Sequence, residues 1–224
     1  MTLNLMFLRR FSSTDTKYLK DNLSETYNVI IPEDFSRENL VRLAAGADVF
    51  LGNAIFKELI DAAVNLKVIQ AQGAGVDNMD LKLLSGNNII LCNSHVNAWY
   101  VAEHAVGMLF SLIKKIHIHD RFVREGRWFV LQNEEEDYPY LSDSIKGNTV
   151  GLIGFGHIAR HIVRFLTGFE VTCIAHKRKK GVLLPNDNNQ SGIKFYDLQT
   201  MLSKSDIVFV ALPLTEQTRD IVSE

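Results

Sequence analysis

The chain has 224 residues, of which 46% are hydrophobic and 22% charged; that is the composition of an ordinary globular protein able to bury a core without covalent staples. A formal net charge of −2 argues against a surface built to seek nucleic acid. Two cysteines, Cys92 and Cys173, are too few for a disulfide framework and have no metal-ligand spacing, so both read as small buried hydrophobes.

The N-terminus, MTLNLMFLRR, carries its charges after a short apolar run. A signal peptide carries them before, so this run reads as a first strand and a cytoplasmic location is expected. No run nears the roughly 18 apolar residues of a membrane span. Strand-like runs then recur at 3–8, 27–31, 47–51, 66–71 and 88–93. Helix-like runs at 16–23, 36–45, 56–63 and 81–84 separate them, and Ser36 with Asn39 and Leu40 behind it marks a helix start. Strands alternating with short helices predict a parallel α/β sheet.

A longer helical pattern covers 98–123, with Val101, Ala105, Met108, Leu109, Leu112 and Ile116 at spacings of three and four. It reads as one helix, long enough to run between two domains. The irregular stretch 127–144 follows, and its acidic run at 133–137 reads as a solvated loop. A second α/β unit starts at Thr149: strand 149–154, helix 157–167, strand 170–175, a polar loop at 186–190, strand 193–196, helix 198–202 and strand 206–212. The expected fold class is therefore α/β, with two parallel-sheet units in succession.

Gly154-Phe155-Gly156-His157-Ile158-Ala159 is a GxGxxA turn placed between a strand and an amphipathic helix. Gly154 permits a sharp exit from the strand, Gly156 lets a pyrophosphate approach the backbone, and Ala159 lets the helix lie close to the sheet. The N–H groups of His157 and Ile158 at the positive end of the helix would then face a diphosphate. A ligand-free tight turn and the glycine-rich turn of a methyltransferase are the competing readings. Dinucleotide folds of this kind usually end the second strand on an acid that holds the ribose 2′-hydroxyl. Here that place carries Lys177-Arg178-Lys179-Lys180, and no Asp or Glu lies between Val171 and Asn186. Positive charge and the planar Arg178 fork suit a 2′-phosphate. The expected cofactor is NADP, with NAD and a merely solvated basic loop as the alternative.

Four segments together resemble the D-isomer-specific 2-hydroxyacid dehydrogenases: LKVIQAQGAGVDNMDL (66–81), NAWYVAEHAVGMLFSLIKKI (97–116), KGNTVGLIGFGHIAR (146–160) and SDIVFVALPLTEQTR (205–219). The resemblance implies two similar doubly wound parallel-sheet domains of Rossmann or flavodoxin type: a substrate domain whose N-terminal part spans 1–96, and a cofactor domain inserted in it, 97–224, incomplete at its C-terminus, with hydride transfer between nicotinamide and a small 2-oxo or 2-hydroxy acid. By position it implies that the backbone of Ala74 and Gly75 helps hold the substrate carboxylate. The flanking glycines make that plausible on physical grounds too, since they free several N–H groups to point one way. Asp77 reads as a turn or cap residue. Leu212 and Pro213 would border the adenosine, and Thr218 would touch it or a phosphate.

The family's catalytic arginine, acid and histidine would all fall after Glu224. Arg219 belongs to the turn motif itself. No histidine–acid pair is identifiable by spacing, so no general acid–base residue is nominated, and no metal site. The expectation is an inactive fragment of a longer enzyme, a glyoxylate- or hydroxypyruvate-type reductase, which by the resemblance forms a homodimer through the long helix and the loop that follows it. A non-catalytic, corepressor-like NAD(P)-binding module is the second reading.

Overall fold

A computed structural model describes residues 2–127, 142–176 and 192–223. The acidic run 133–137, the polar loop 186–190 and the basic run from Lys177 and Arg178 onward lie outside the described residues. The chain divides into two compact units, residues 1–96 with 213–224, and residues 97–212. Both are α/β with wholly parallel sheets.

In the first unit, strands β1 (Leu3–Phe7), β2 (Tyr27–Ile30), β3 (Val49–Leu51), β4 (Val68–Gln70) and β5 (Ile90–Cys92) alternate with helices α1 (Ser13–Leu23), α2 (Arg37–Ala44), α3 (Lys57–Ala62) and α4 (Leu81–Gly86). The sheet order is β2-β1-β3-β4-β5, the flavodoxin-like doubly wound order. The apolar run Leu5-Met6-Phe7 in β1 follows from burial on both faces. Met6 and Leu8 join Phe50 and Ile69 in a core with Leu40, Ala44, Leu59, Ile60 and Leu84 of α2, α3 and α4. Leu5, Phe7 and Val49 point the other way, toward Leu19 and Leu23 of α1. Three helices start on side-chain caps. Ser12 accepts the Asp15 N–H, Ser36 the Asn39 N–H as its sequence predicts, and Asp80 the Lys82 and Leu83 N–H groups.

The second unit opens with α5 (Ala98–Ile113) and α6 (Ile116–Arg124). The single helix expected over 98–123 is thus two. Lys115 turns left-handed at φ 51°, an uncommon conformation for a residue with a side chain. The break is held from residue 143: the Asp143 N–H donates to the Ile113 carbonyl at 3.2 Å, and Lys114 Nζ donates to the Asp143 carbonyl. Nothing in the spacing of apolar residues reports a contact of that range.

Strands β6 (Thr149–Ile153), β7 (Thr172–His176), β8 (Lys194–Tyr196) and β9 (Ile207–Val210) form a sheet in the order β8-β7-β6-β9, with helices α7 (His157–Leu166) and α8 (Leu198–Ser203) between them. One face carries Val150 and Leu152 against Ala159, Ile162 and Leu166 of α7 and Ala102 and Leu109 of α5. On the other face Gly151 meets α8 so closely that a Cβ there would lie 2.4 Å from Met201 Sδ. β7 runs one residue further than its expected end at Ala175, so His176 closes the strand. Cys92 and Cys173 are half-buried rather than fully buried, and burial pushes the Cys173 thiol above its ordinary value. Among the described residues no helix is long and apolar enough to cross a membrane, and no cluster of ligands could hold a metal ion.

Candidate dinucleotide turn and carboxylate loop

In the second unit the sheet order reverses between β6 and β9, which places a crevice outside their carboxyl ends, the usual ligand position of a doubly wound sheet. Gly154 leaves β6 there with φ 90°. Its N–H donates to the His176 carbonyl at 3.1 Å, and the Ala211 N–H donates to the Ile153 carbonyl at 2.9 Å. A Cβ on Gly154 would stand 2.6 Å from the Ala211 carbonyl oxygen and 2.8 Å from Leu212 Cδ2. Both the dihedral and the space therefore demand glycine. Gly156 differs, since among the described residues a Cβ there would meet nothing within 4 Å. α7 begins on this glycine, which has no side chain of its own to cover the helix start. A helix start of this kind directs its first N–H groups outward with the positive end of its dipole behind them, which suits a pyrophosphate. His157 is exposed and Ile158 half-buried at this start, while Ala159 is fully buried against the sheet.

Phe155, between the two glycines, is turned into the protein and is 6% exposed. Its ring packs edge-on against Phe195 of β8 at 5.4 Å, and the Arg160 guanidinium lies 4.9 Å from its centroid. The turn is therefore anchored from β8 as well as from β6.

In the first unit the segment after β4 is braced on both sides. Asn53 clamps the Gln72 peptide: its Oδ1 accepts the Gln72 N–H at 2.6 Å and its Nδ2 donates to the Gln72 carbonyl at 3.1 Å. Asn93 Nδ2 donates to the Ala74 carbonyl at 2.9 Å, and the Ser94 N–H to the Gly73 carbonyl at 2.9 Å. Gly73 takes φ 86° to allow this path. With three successive carbonyls tied back, the Ala74 and Gly75 N–H groups have no protein acceptor among the described residues. An array of this kind is suited to a carboxylate.

The family model described as D-isomer specific 2-hydroxyacid dehydrogenase, NAD binding domain, matches residues 106–224. This chain belongs to that family. It is 32% identical over 214 residues to a glyoxylate reductase of Thermofilum pendens, covering 90% of this chain and 60% of the relative. It is 28% identical over 211 residues to a D-3-phosphoglycerate dehydrogenase of Archaeoglobus fulgidus, covering 92% of this chain and 38% of the relative. The crystal structure of a Pyrococcus horikoshii protein superposes with a TM-score of 0.78 at 29% identity, over 99% of this chain and 66% of that one. The chain thus spans less than two thirds of the length of the curated relatives it matches.

Within this dehydrogenase-family chain, Gly154, Gly156, His157, Ile158 and Leu212 gather at the crevice of the second unit. Pro213 and Thr218 fall with the first unit. There the Thr218 hydroxyl donates to the Pro213 carbonyl at 2.6 Å and accepts the Thr215 N–H at 2.8 Å, closing its own turn. Lys177 and Arg178 lie outside the described residues. Four contributors escape sequence reasoning. Asn53 and Asn93 each follow a strand, a position that polar residues occupy in many ordinary loops, so only their long-range partners single them out. Phe195 looks like any strand residue. His176 looks like the start of the basic loop until β7 is seen to include it.

Proposed function

We propose that the protein is an NADP(H)-dependent reductase of small 2-oxo acids, of which glyoxylate and hydroxypyruvate are the types considered. The observation that carries the reading is a helix, α7, that starts directly on Gly156, where a Cβ would meet none of the described residues within 4 Å, followed in the chain by a second strand that leads into Lys177 and Arg178 instead of an acid. In this reading the backbone at Gly156, His157 and Ile158 binds the pyrophosphate, Leu212 and Pro213 border the adenosine, and Thr218 shapes the turn beside it. Lys177 and Arg178 hold a 2′-phosphate. The Ala74 and Gly75 N–H groups hold the carboxylate of the 2-oxo acid. Bound nicotinamide would supply the hydride. The relatives support the substrate class, one of them being a glyoxylate reductase. No residue of this chain is assigned to proton transfer, so turnover is proposed for the whole protein. A homodimer through α5 is part of the same proposal; Val101, Met108 and Leu112, spaced by seven and four, form an exposed apolar stripe on that helix.

The test is steady-state kinetics of the whole protein with glyoxylate. KM for NADPH is expected below KM for NADH, and Arg178→Ala should raise the first roughly tenfold and leave the second nearly unchanged. Equal values, or a lower one for NADH, overturn the NADP assignment. Light scattering on the same sample reads the dimer.

A further inference from the structure

His176 is the last residue of β7 and stands beside the first glycine of the turn, whose N–H its carbonyl accepts at 3.1 Å. It lies about 20 residues beyond the turn, where a dinucleotide fold reads the adenosine ribose. Its ring is held in one tautomer. Nδ1 is 3.1 Å from the Tyr196 carbonyl oxygen. A carbonyl only accepts, so Nδ1 carries a hydrogen in either charge state. Nε2 is then the atom that changes: a lone pair when the ring is neutral and an N–H when it is charged. Among the described residues no other hydrogen bond of this ring is present.

Those two forms of Nε2 suit two different riboses. We infer that His176 is a proton-controlled selector of the cofactor: neutral, it accepts a hydrogen bond from a ribose 2′-hydroxyl, and charged, it donates one to a 2′-phosphate. The inference rests on the dinucleotide reading of the crevice and adds a regulation to it. Acidification moves the preference toward NADPH, and alkaline conditions move it toward NADH.

Among the described residues the following groups surround the ring. From β6 its neighbours are Ile153 and Gly154, which carry no charge. From β8 they are Tyr196 and, further down the strand, Lys194. From α8 they are Asp197 at the N-cap and Lys204, whose Nζ is 5.9 Å from the Tyr196 ring. Lys177 follows in the chain. Asp197 is the acid among them. Its carboxyl is held below the usual range by the Thr200 backbone N–H and hydroxyl, with a smaller contribution from His176.

The experiment measures Kd of NADPH and of NADH for the 224-residue chain by calorimetry from pH 5.5 to 8.5 at constant ionic strength. The ratio Kd(NADH)/Kd(NADPH) is expected to fall roughly tenfold across that range, the difference one charge-assisted hydrogen bond makes. The 2′-phosphate takes up its own proton near pH 6, but that contribution is common to every protein tested. His176→Gln should remove the histidine part of the slope, and His176→Arg should keep the low-pH preference throughout. An unchanged slope in His176→Gln overturns the inference while leaving the dinucleotide reading intact. No binding of either cofactor to the wild-type chain overturns both. NMR on the wild-type chain gives an answer independent of any variant's folding: at pH 6 the His176 Nε2 should carry a hydrogen bonded to the 2′-phosphate with NADPH bound and accept a hydrogen bond with NADH bound, and the same Nε2 signature in both complexes refutes the selector.

Discussion

Gly154 and Gly156 are two residues apart in one motif, yet they are glycine for different reasons. At Gly154 the protein itself leaves no room: a Cβ would press on a backbone carbonyl of residue 211, which cannot swing away, and the dihedral is one that L residues avoid. Gly154→Ala should therefore cost on the order of 1–3 kcal/mol of stability and take cofactor binding with it. At Gly156 a Cβ would meet none of the described residues, at an ordinary negative φ. Gly156→Ala should change stability by no more than about 0.5 kcal/mol, yet weaken NADPH at least tenfold, since the methyl would stand where the diphosphate approaches. Urea unfolding and calorimetry on the two variants separate the roles. Equal loss of binding and stability at both positions would contradict the assignment. The motif was legible in the sequence; which of its glycines the fold itself requires was not, because the residues that crowd Gly154 come from the far end of the second unit.

Helix ends and strand ends carry the next level of information. α8 starts on Asp197, whose carboxylate accepts the Thr200 N–H at 2.9 Å and the Thr200 hydroxyl at 2.7 Å, and these bonds hold its carboxyl below the ordinary range. A depressed folded-state pKa stabilises at pH values above the unfolded-state pKa, near 3.9 for aspartate, and that contribution disappears as pH falls through the lower folded value. The urea midpoint should accordingly drop on acidification below about pH 4, and Asp197→Asn should flatten that drop; matching acid slopes in the two proteins would refute it. Elements of this length were readable because apolar periodicity reports burial directly. Boundaries were less readable. The helix expected over 98–123 breaks at Lys115 because residue 143 returns to bond Ile113 and Lys114. A similar long-range device starts each sheet: the Asn4 N–H is held by Asp48 at 3.0 Å and the Thr149 N–H by Asp206 at 2.7 Å. Each of these acids precedes the strand on the far side of the switch point, a pairing that no local pattern announces.

The whole chain is two parallel-sheet units, each with its own buried core. If the cofactor binds where the second unit's sheet order reverses, its free energy goes first into that unit. At a hundredfold excess over Kd, a ligand adds about 2.7 kcal/mol to the state it binds. Hydrogen exchange with saturating NADPH should therefore slow the amides of β6, β7 and β9. Protection confined to β1–β5 would place the site elsewhere. By itself the sequence determined the α/β class, the order of strands and helices, the dinucleotide turn and the family resemblance, because all of these are written in residues close together in the chain. Only the tertiary structure decided that Asn53 and Asn93 brace the loop at Ala74, that Phe195 backs the turn at Phe155, and that His176 ends β7 with its ring tied to Tyr196. Each of those contacts joins residues 19 or more positions apart, and local composition carries no record of which distant group a side chain will meet.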